Sequence, residues 1–197
     1  MTAASERDYG SDDDCEWARP PGGGWISDDL DELPNLPRRT ELLYASLVFA
    51  SAQTVYHSLT VGLLERALAE QAPHVFDVYR CFSLTLDRRN RLEPDVLVAR
   101  ARADLAPKGT RLLSDDVCLV AEDSAERDRD AEPRKYAAAG IVHLWRVGEE
   151  DALPVVHTCA LDPATRTCAP TGISHNRLKP TVPFPVDIDL STLEPRR

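Results

Sequence analysis

Leucines spaced four residues apart predict one long helix in the first half of the chain. The pattern covers about Thr54 to Gln71, and Pro73 ends it because proline lacks the backbone N–H that a helix interior requires. A shorter helix is predicted before it, with Ser27 as the N-cap and acidic residues in the first turn, where the helix dipole favours negative charge. This short helix is expected to end near Pro34.

Apolar runs elsewhere in the first half predict strands. Residues 41–49 indicate two short strands around a bend. Residues 75–86 and 92–99 predict a β-hairpin around a polar turn. The compact apolar run at 116–121 is typical of a strand in the centre of a sheet.

The second half combines a charged stretch with further strands. Residues 125–139 predict a helix, and Gly140 is expected to be the residue that follows its end. Strands are predicted at 142–147, 155–161 and 169–173. The closing segment 186–190 is predicted as an edge strand or as a strap across the sheet.

Length and charge narrow the class of protein. The chain has 197 residues, of which 43% are hydrophobic and 28% charged, and this suits one domain with a sizeable core. We expect residues 1–24 to form a disordered acidic tail and residues 25–197 to form that domain. The net charge is −10, and residues 1–20 contribute six acidic residues and two arginines to it. Non-specific coating of DNA by net charge is therefore excluded.

The lack of a recognisable targeting signal and the pattern of cysteines indicate the cellular compartment. No apolar run is long enough to span a membrane, and the N-terminal residues are acidic, unlike those of a signal peptide. The five cysteines lack CxxC spacing, which favours free thiols and argues against structural zinc. We therefore expect a cytoplasmic protein with no membrane partner.

Two acidic residues lie at the ends of predicted strands. Asp95 begins an apolar run, and Glu122 follows the compact run at 116–121. Carboxylates at strand ends that meet a cleft can hold a hard divalent cation, and magnesium prefers one or two such oxygen ligands. The alternative is that both carboxylates are solvated strand ends.

Three further residues are candidates for the same site. Glu41 lies on the strand before the long helix, His57 near the start of that helix, and Lys135 in the charged helix. His57 and Lys135 also have a plainer explanation. His57 can be an ordinary histidine near a helix start, and Lys135 can be a surface ion-pair partner of Asp128 or Glu132.

The order of short motifs across residues 25–190 resembles one family. The chain contains Ser-Asp-Asp-Leu, Arg-Thr-Glu-Leu-Leu, a helix with His57, Glu-Pro-Asp-Val-Leu-Val, Leu-Val-Ala-Glu, Pro-Arg-Lys-Tyr-Ala-Ala-Ala-Gly-Ile, His-Leu-Trp-Arg-Val and Thr-Val-Pro-Phe-Pro-Val-Asp-Ile-Asp-Leu. In order and spacing these motifs are similar to those of the Uma-type restriction endonuclease family, in the form common in actinomycetes. This family resembles the restriction-endonuclease-like PD-(D/E)XK superfamily.

The resemblance implies an α/β fold with a restriction-endonuclease-like core, a mixed central β-sheet flanked by helices, and an N-terminal hairpin or extension. By position, Asp95 and Glu122 match acids that hold Mg²⁺ or Mn²⁺ during hydrolysis of DNA. Glu41 and His57 match an N-terminal acid and a helix histidine of the family, and a lysine completes the catalytic set. Small members of the superfamily often pair, so a homodimer is expected, with the apolar segment Val182–Leu190 as a candidate contact.

The chain departs from the family at three places. Tyr44 and Ala45 replace Asp-Gly, and because Ala45 resists a positive φ we expect the hairpin to take another shape. The segment after Glu122 is shorter than in the family. Glu132 occupies the position of the family lysine, and Lys135, close to the same helical face, is the candidate replacement.

Two hypotheses follow. The first is a metal-dependent DNA endonuclease whose catalysis is weakened or lost through the last two departures. The second is a catalytically inactive relative, a pseudoenzyme that keeps the fold for a binding or regulatory role.

Overall fold

A computed structural model describes residue 17 and residues 19–101, 109–123, 131–150 and 153–193, with the backbone alone at 131 and 132. The α-helices within these ranges are α1 (Asp29–Glu32), α2 (Val55–Gln71) and α3 (Ala131–Ala138). The long predicted helix is confirmed as α2, whose N-cap Thr54 accepts a hydrogen bond from the backbone N–H of His57.

The described strands form two mixed sheets and one two-stranded pair. In chain order they are β1 (Thr40–Leu43), β2 (Ser46–Phe49), β3 (Phe76–Arg80), β4 (Ser83–Asp87), β5 (Asn90–Leu92), β6 (Val96–Arg100), β7 (Arg111–Leu113), β8 (Val117–Asp123), β9 (His143–Glu150), β10 (Leu153–Asp162), β11 (Thr167–Ser174), β12 (Arg177–Leu178) and β13 (Ile188–Asp189). Short 3-10 helices cover Ser114–Asp116 and Leu190–Leu193.

The main sheet has six strands in the order β11-β10-β9-β8-β6-β3, with β8 and β9 parallel and the other neighbours antiparallel. The small sheet has the order β2-β1-β5-β4-β7, in which only the β4–β7 pair is parallel. The prediction that the run at 116–121 lies centrally in a sheet is confirmed, because β8 has neighbours on both sides.

The main sheet is the middle layer of the molecule. All four apolar residues of β6 are buried: Val96 and Val98 contact the cluster formed with α2, whereas Leu97 and Ala99 contact the cluster formed with the small sheet and α3. A strand that is covered on both faces has no polar side to alternate with, which explains its continuous apolar sequence.

The C-terminal segment closes the α2 side of the core. Its buried apolar residues pack in the same cluster as α2: Leu178, Phe184, Val186, Ile188 and Leu190. The segment therefore packs as a strap, and its residues Ile188–Asp189 also pair with β12 as a short strand. Most of its apolar side chains face the core, so Val182–Leu190 does not present them for pairing, and the homodimer stays a prediction that needs another surface.

Two local predictions are wrong. The single hairpin at 75–99 is in fact divided between sheets: β3 pairs with β6 in the main sheet, and β4 pairs with β5 in the small one. The chain crosses from one sheet to the other on each side of the hairpin, which periodicity alone does not reveal. The N-cap of α1 is Asp28, while the hydroxyl of Ser27 is hydrogen-bonded to that of Thr85 across 2.9 Å.

The β1–β2 hairpin also differs from expectation. It keeps a two-residue turn, with Tyr44 at φ 50° and Ala45 at φ 66°. Positive φ at both central residues is the conformation of a type I′ turn, which is most often occupied by asparagine and glycine. Neighbouring chain supports the strained turn, since the backbone N–H of Ala45 donates to the carbonyl of Arg89 and that of Tyr44 to the side chain of Asn90.

Two predicted segments lie partly outside the residues that the structure describes. Most of the expected tail at 1–24, namely residues 1–16 and 18, lies outside them, as does the part of the charged helix before residue 131. Within them, residues 20–24 form a turn, and Gly140, at φ 86°, follows α3 as predicted. In the described part of the chain, no helix combines the length and apolar character needed to cross a membrane.

Candidate active site

Asp95 and Glu122 lie side by side at one end of the paired strands β6 and β8. The register pairs Val96 with Ala121. Asp95 directly precedes Val96, and Glu122 directly follows Ala121, so the two acids are adjacent across the strands. The backbone N–H of Asp95 donates to Oε2 of Glu122 across 3.3 Å. The two residues that the sequence placed at strand ends are therefore neighbours, because antiparallel pairing brings the start of β6 to the end of β8.

The Asp95 carboxylate is 5% exposed and has partners on both oxygens. Its Oδ1 lies 3.3 Å from the guanidinium of Arg39 and 3.2 Å from Nε2 of His57. Its Oδ2 accepts a hydrogen bond from the backbone N–H of Asp123 across 2.9 Å. These contacts hold the carboxylate in one orientation without a bound ligand.

Glu122 is held from the opposite side of the main sheet. Its Oε1 accepts a short hydrogen bond from the hydroxyl of Tyr136, a residue of α3 that is 1% exposed. Because Tyr136 is packed in the core between the sheets, it connects the position of α3 to the orientation of the Glu122 carboxylate.

His57 joins the cluster from the first turn of α2. Its Nδ1 lies 3.0 Å from Oδ2 of Asp123, and its Nε2 faces Asp95, so each ring nitrogen has a carboxylate beside it. Glu122 and Asp123 are consecutive on β8 and point to opposite faces, as strand geometry requires. Asp123 therefore meets α2 while Glu122 meets α3.

Glu41 reaches the cluster from β1 in the small sheet. Its Oε1 accepts a hydrogen bond from the backbone N–H of Glu93 across 2.7 Å, and Glu93 in turn lies 3.3 Å from Nε of Arg39. Glu41 thus fixes the chain just before Asp95, and it is close enough to Asp95 and Lys135 for their charges to act on its carboxyl group.

Lys135 lies on α3 and turns toward the β1–β2 hairpin. Its ammonium is 3.8 Å from the centre of the Tyr44 ring, within the range of a cation–π interaction. Neither alternative ion pair is described, because Asp128 and the side chain of Glu132 lie outside the described residues.

Burial raises the pKa of several carboxyl groups in the cluster. It is the largest effect on Asp123, where Coulombic repulsion from Asp95 and Glu149 raises the pKa further and His57 opposes it. Burial likewise raises the pKa of Glu41 and of Glu93; the backbone N–H of Glu93 and the charge of Arg39 oppose the rise at Glu41, and Arg39 opposes it at Glu93. Repulsion from Asp95 raises the pKa of both Glu41 and Asp123 further, and an added positive charge would relieve this repulsion.

The donor chemistry fits magnesium or manganese. Among the described residues, no group of three or more His, Cys, Asp and Glu side chains is arranged to hold a metal ion. Magnesium, however, is commonly bound by one or two carboxylates together with water and substrate phosphate, so Asp95 and Glu122 provide a sufficient set. Oδ1 of Asp95 contacts Arg39 and His57, and Oδ2 accepts a hydrogen bond from the backbone N–H of Asp123, so an ion that used Oδ1 would compete with Arg39.

All five residues predicted from the sequence are placed around this cluster, with Lys135 at its edge. Sequence reasoning missed Arg39, Asp123 and Tyr136. Asp123 could have been found from strand alternation, because a second acid at the end of β8 must face the layer opposite Glu122. Arg39, at φ 60° in the segment before β1, leaves no periodic signal.

Comparison with known proteins supports the fold. The chain is similar to a solved structure from Anabaena variabilis ATCC 29413 that is described as a "putative nuclease belonging to DUF820", with a TM-score of 0.60, 11% identity, and coverage of 79% of this chain and 88% of that chain. At this identity the likeness shows the fold alone, and it confirms the restriction-endonuclease-like α/β class. No protein-family model matches the chain. No curated protein matches it significantly.

Proposed function

We propose that this protein is a Mg²⁺- or Mn²⁺-dependent DNA endonuclease of the Uma-type family. The observation that carries the proposal is the pairing of Asp95 with Glu122, both fixed by protein contacts at the same end of the inner strands β6 and β8. The half-buried carboxylates around them support a divalent cation as the ligand. The similarity in fold to a protein described as a putative nuclease is consistent with this assignment.

Each residue has a separate task in the proposed hydrolysis. Asp95 and Glu122 would hold the ion, which would supply polarisation of the scissile phosphate and a lower pKa for the attacking water. His57 holds the Asp95 carboxylate from the α2 side, and Tyr136 holds that of Glu122 from the α3 side. Lys135 supplies a cation for the negative charge that develops on the phosphate.

DNA is the proposed substrate despite the acidic composition. Arg88 and Arg89 are exposed on the β4–β5 turn, and their carbonyls accept hydrogen bonds from Ser27 and Ala45, which places this turn beside the β1–β2 hairpin. Exposed arginines can contact the phosphate backbone locally, where the net charge of the whole chain matters less than the nearby side chains.

Isosteric variants of the two acids test the proposal. Asp95→Asn and Glu122→Gln keep the shape of each side chain and remove one negative charge from the ion site. We expect each to weaken Mn²⁺ binding in calorimetry and to lower cleavage of plasmid DNA by about 10²-fold or more. Asp77→Asn, at an exposed position of β3, is the matched control and should match the wild type. Wild-type protein that binds neither ion and cuts neither duplex nor single-stranded DNA would exclude the nuclease.

Two observations favour the second candidate, an inactive relative. Arg39 and His57 occupy Oδ1 of Asp95, and Glu132 stands where the family lysine is expected. In this case Arg39 is the permanent counter-ion of the cluster, and the fold serves a binding or regulatory role. Replacing Glu132→Lys and lengthening the segment after Glu122 should then create metal-dependent cleavage in a chain that has none.

A further inference from the structure

Lys135 and Tyr136 are consecutive residues of α3 that serve different parts of the cluster. Tyr136 is buried and donates its hydroxyl to Glu122. Lys135 instead extends toward the small sheet, where its ammonium lies over the Tyr44 ring and its charge acts on Glu41. One turn of α3 thus meets both the main sheet and the β1–β2 hairpin.

Tyr44 is not held where it is by burial. The residue is 71% exposed, so its ring contributes little to the apolar core. Its backbone has a positive φ, which costs free energy for any residue other than glycine. The hairpin nevertheless keeps this conformation, because backbone contacts with Asn90 and Arg89 fix the turn. The backbone from which this exposed ring extends is thereby fixed.

The Tyr44 ring restricts the positions of the flexible Lys135 side chain. The four-carbon stem of lysine samples many rotamers, and an ammonium in solvent is rarely at one place. An aromatic face attracts the ammonium electrostatically, by an amount that corresponds to a roughly two- to fivefold preference at an exposed site. The Tyr44 ring therefore raises the fraction of molecules in which Lys135 stands at the Glu41 side of the cluster.

We propose that Tyr44 is a positioning residue that holds the Lys135 ammonium at the Glu41 side of the cluster, where it can meet a phosphate of bound DNA. The catalytic part of this proposal rests on the nuclease function proposed above. The placement of the ammonium does not, and it can be measured by itself.

The placement is tested by NMR on the full chain. The sequence has three lysines, Lys108, Lys135 and Lys179, so lysine-selective ¹³C labelling gives a simple spectrum that Lys135→Arg assigns. We expect ring current to move the ε-methylene protons of Lys135 upfield of those of Lys179, which pairs with Asp187. The shift should persist in Tyr44→Phe and disappear in Tyr44→Leu. Both variants keep a β-carbon, so the backbone strain of the turn is unchanged.

The catalytic role is tested by the kinetics of Mn²⁺-dependent plasmid cleavage. Tyr44→Leu should lower kcat about two- to fivefold with a smaller change in KM, and the conservative Tyr44→Phe should restore kcat. In a Lys135→Ala background, Tyr44→Leu should have no further effect, because the two residues act as one unit.

The outcomes separate the two proposals. Wild-type protein that cleaves DNA but shows no ring-current shift overturns the placement of Lys135, and so does a shift that survives in Tyr44→Leu. Equal kcat losses from Tyr44→Leu with and without Lys135 overturn the positioning role. A chain that shows the shift but cleaves no DNA overturns the nuclease function and leaves the placement of Lys135 standing.

Discussion

Arg39 contacts the Asp95 carboxylate and would compete with a cationic ligand for it. Its guanidinium contacts both Asp95 and Glu93, at 3.3 Å each, and its side chain is 26% exposed. The Asp95 side chain is only 7% exposed, so its negative charge needs a cationic partner nearby. A divalent ion carries twice the charge of a guanidinium, and it could take over this role from Arg39.

Removing Arg39 should therefore strengthen binding of a divalent ion. Arg39→Ala eliminates a competing positive charge at Oδ1 of Asp95, and we expect Mn²⁺ affinity to rise several-fold, on the order of 1 kcal/mol. Calorimetric titration of the purified chain measures this change. Arg38→Ala removes an equal charge at an exposed neighbouring position and should leave the affinity close to that of the wild type. A weaker ion affinity in Arg39→Ala would show that Arg39 helps to build the site.

The β1–β2 hairpin has a strained backbone at its turn, and it carries Glu41 and Tyr44 next to the candidate site. Its turn has two residues at positive φ, and the segment before α1 packs directly on it. Gly24, at φ 80°, precedes Trp25, whose backbone N–H donates to the carbonyl of Ala45. A β-carbon at Gly24 would lie 2.6 Å from that carbonyl oxygen. The hairpin is thus supported by a close backbone contact that only glycine permits.

Gly24→Ala should consequently destabilise the fold. The substitution combines a left-handed backbone with a steric clash, and we expect a loss of roughly 1–3 kcal/mol in the free energy of unfolding. Gly22→Ala is the matched control, since a β-carbon there meets nothing within 4 Å. Urea denaturation of both variants measures the difference. Equal stability of the two would mean that residues 20–24 do not pack on the hairpin in solution.

At the scale of the whole molecule, the cluster lies where three layers meet. α2 supplies His57. The main sheet supplies Glu122 and Asp123 from β8, and Asp95 directly precedes its strand β6. The layer of the small sheet and α3 supplies Glu41, Tyr136 and Lys135. The C-terminal strap completes the α2 side by burying residues far along the chain from α2. The geometry of the cluster therefore depends on the packing of the entire core.

The strap should behave as part of that core. Ile188 is 1% exposed, and Ile188→Ala is expected to lower the free energy of unfolding by roughly 2–5 kcal/mol, because it removes buried methyl groups and leaves a cavity. Val182→Ala, at a position that is 51% exposed, should change it by less than about 0.5 kcal/mol. Chemical denaturation followed by tryptophan fluorescence compares the two. A small effect of Ile188→Ala would show that the strap is detached in solution.

The sequence by itself determined the elements whose signals are local. Leucine spacing is enough to define α2, since one helix face repeats within a few residues, and the apolar run of β8 shows that the strand is covered on both sides. Asp95 and Glu122 were recognisable because each adjoins such a run. That they lie side by side depends on the antiparallel pairing of β6 with β8, which the structure shows.

Only the tertiary structure decided which distant groups share the cluster. Arg39 meets Asp95 across 56 positions of sequence, and Lys135 meets Tyr44 from a different layer. The division of residues 75–99 between two sheets, and the retention of a type I′ turn at Tyr44 and Ala45, likewise depend on neighbouring chain. Such contacts are set by the packing of layers, and a periodic pattern carries no information about the partner that packing brings close.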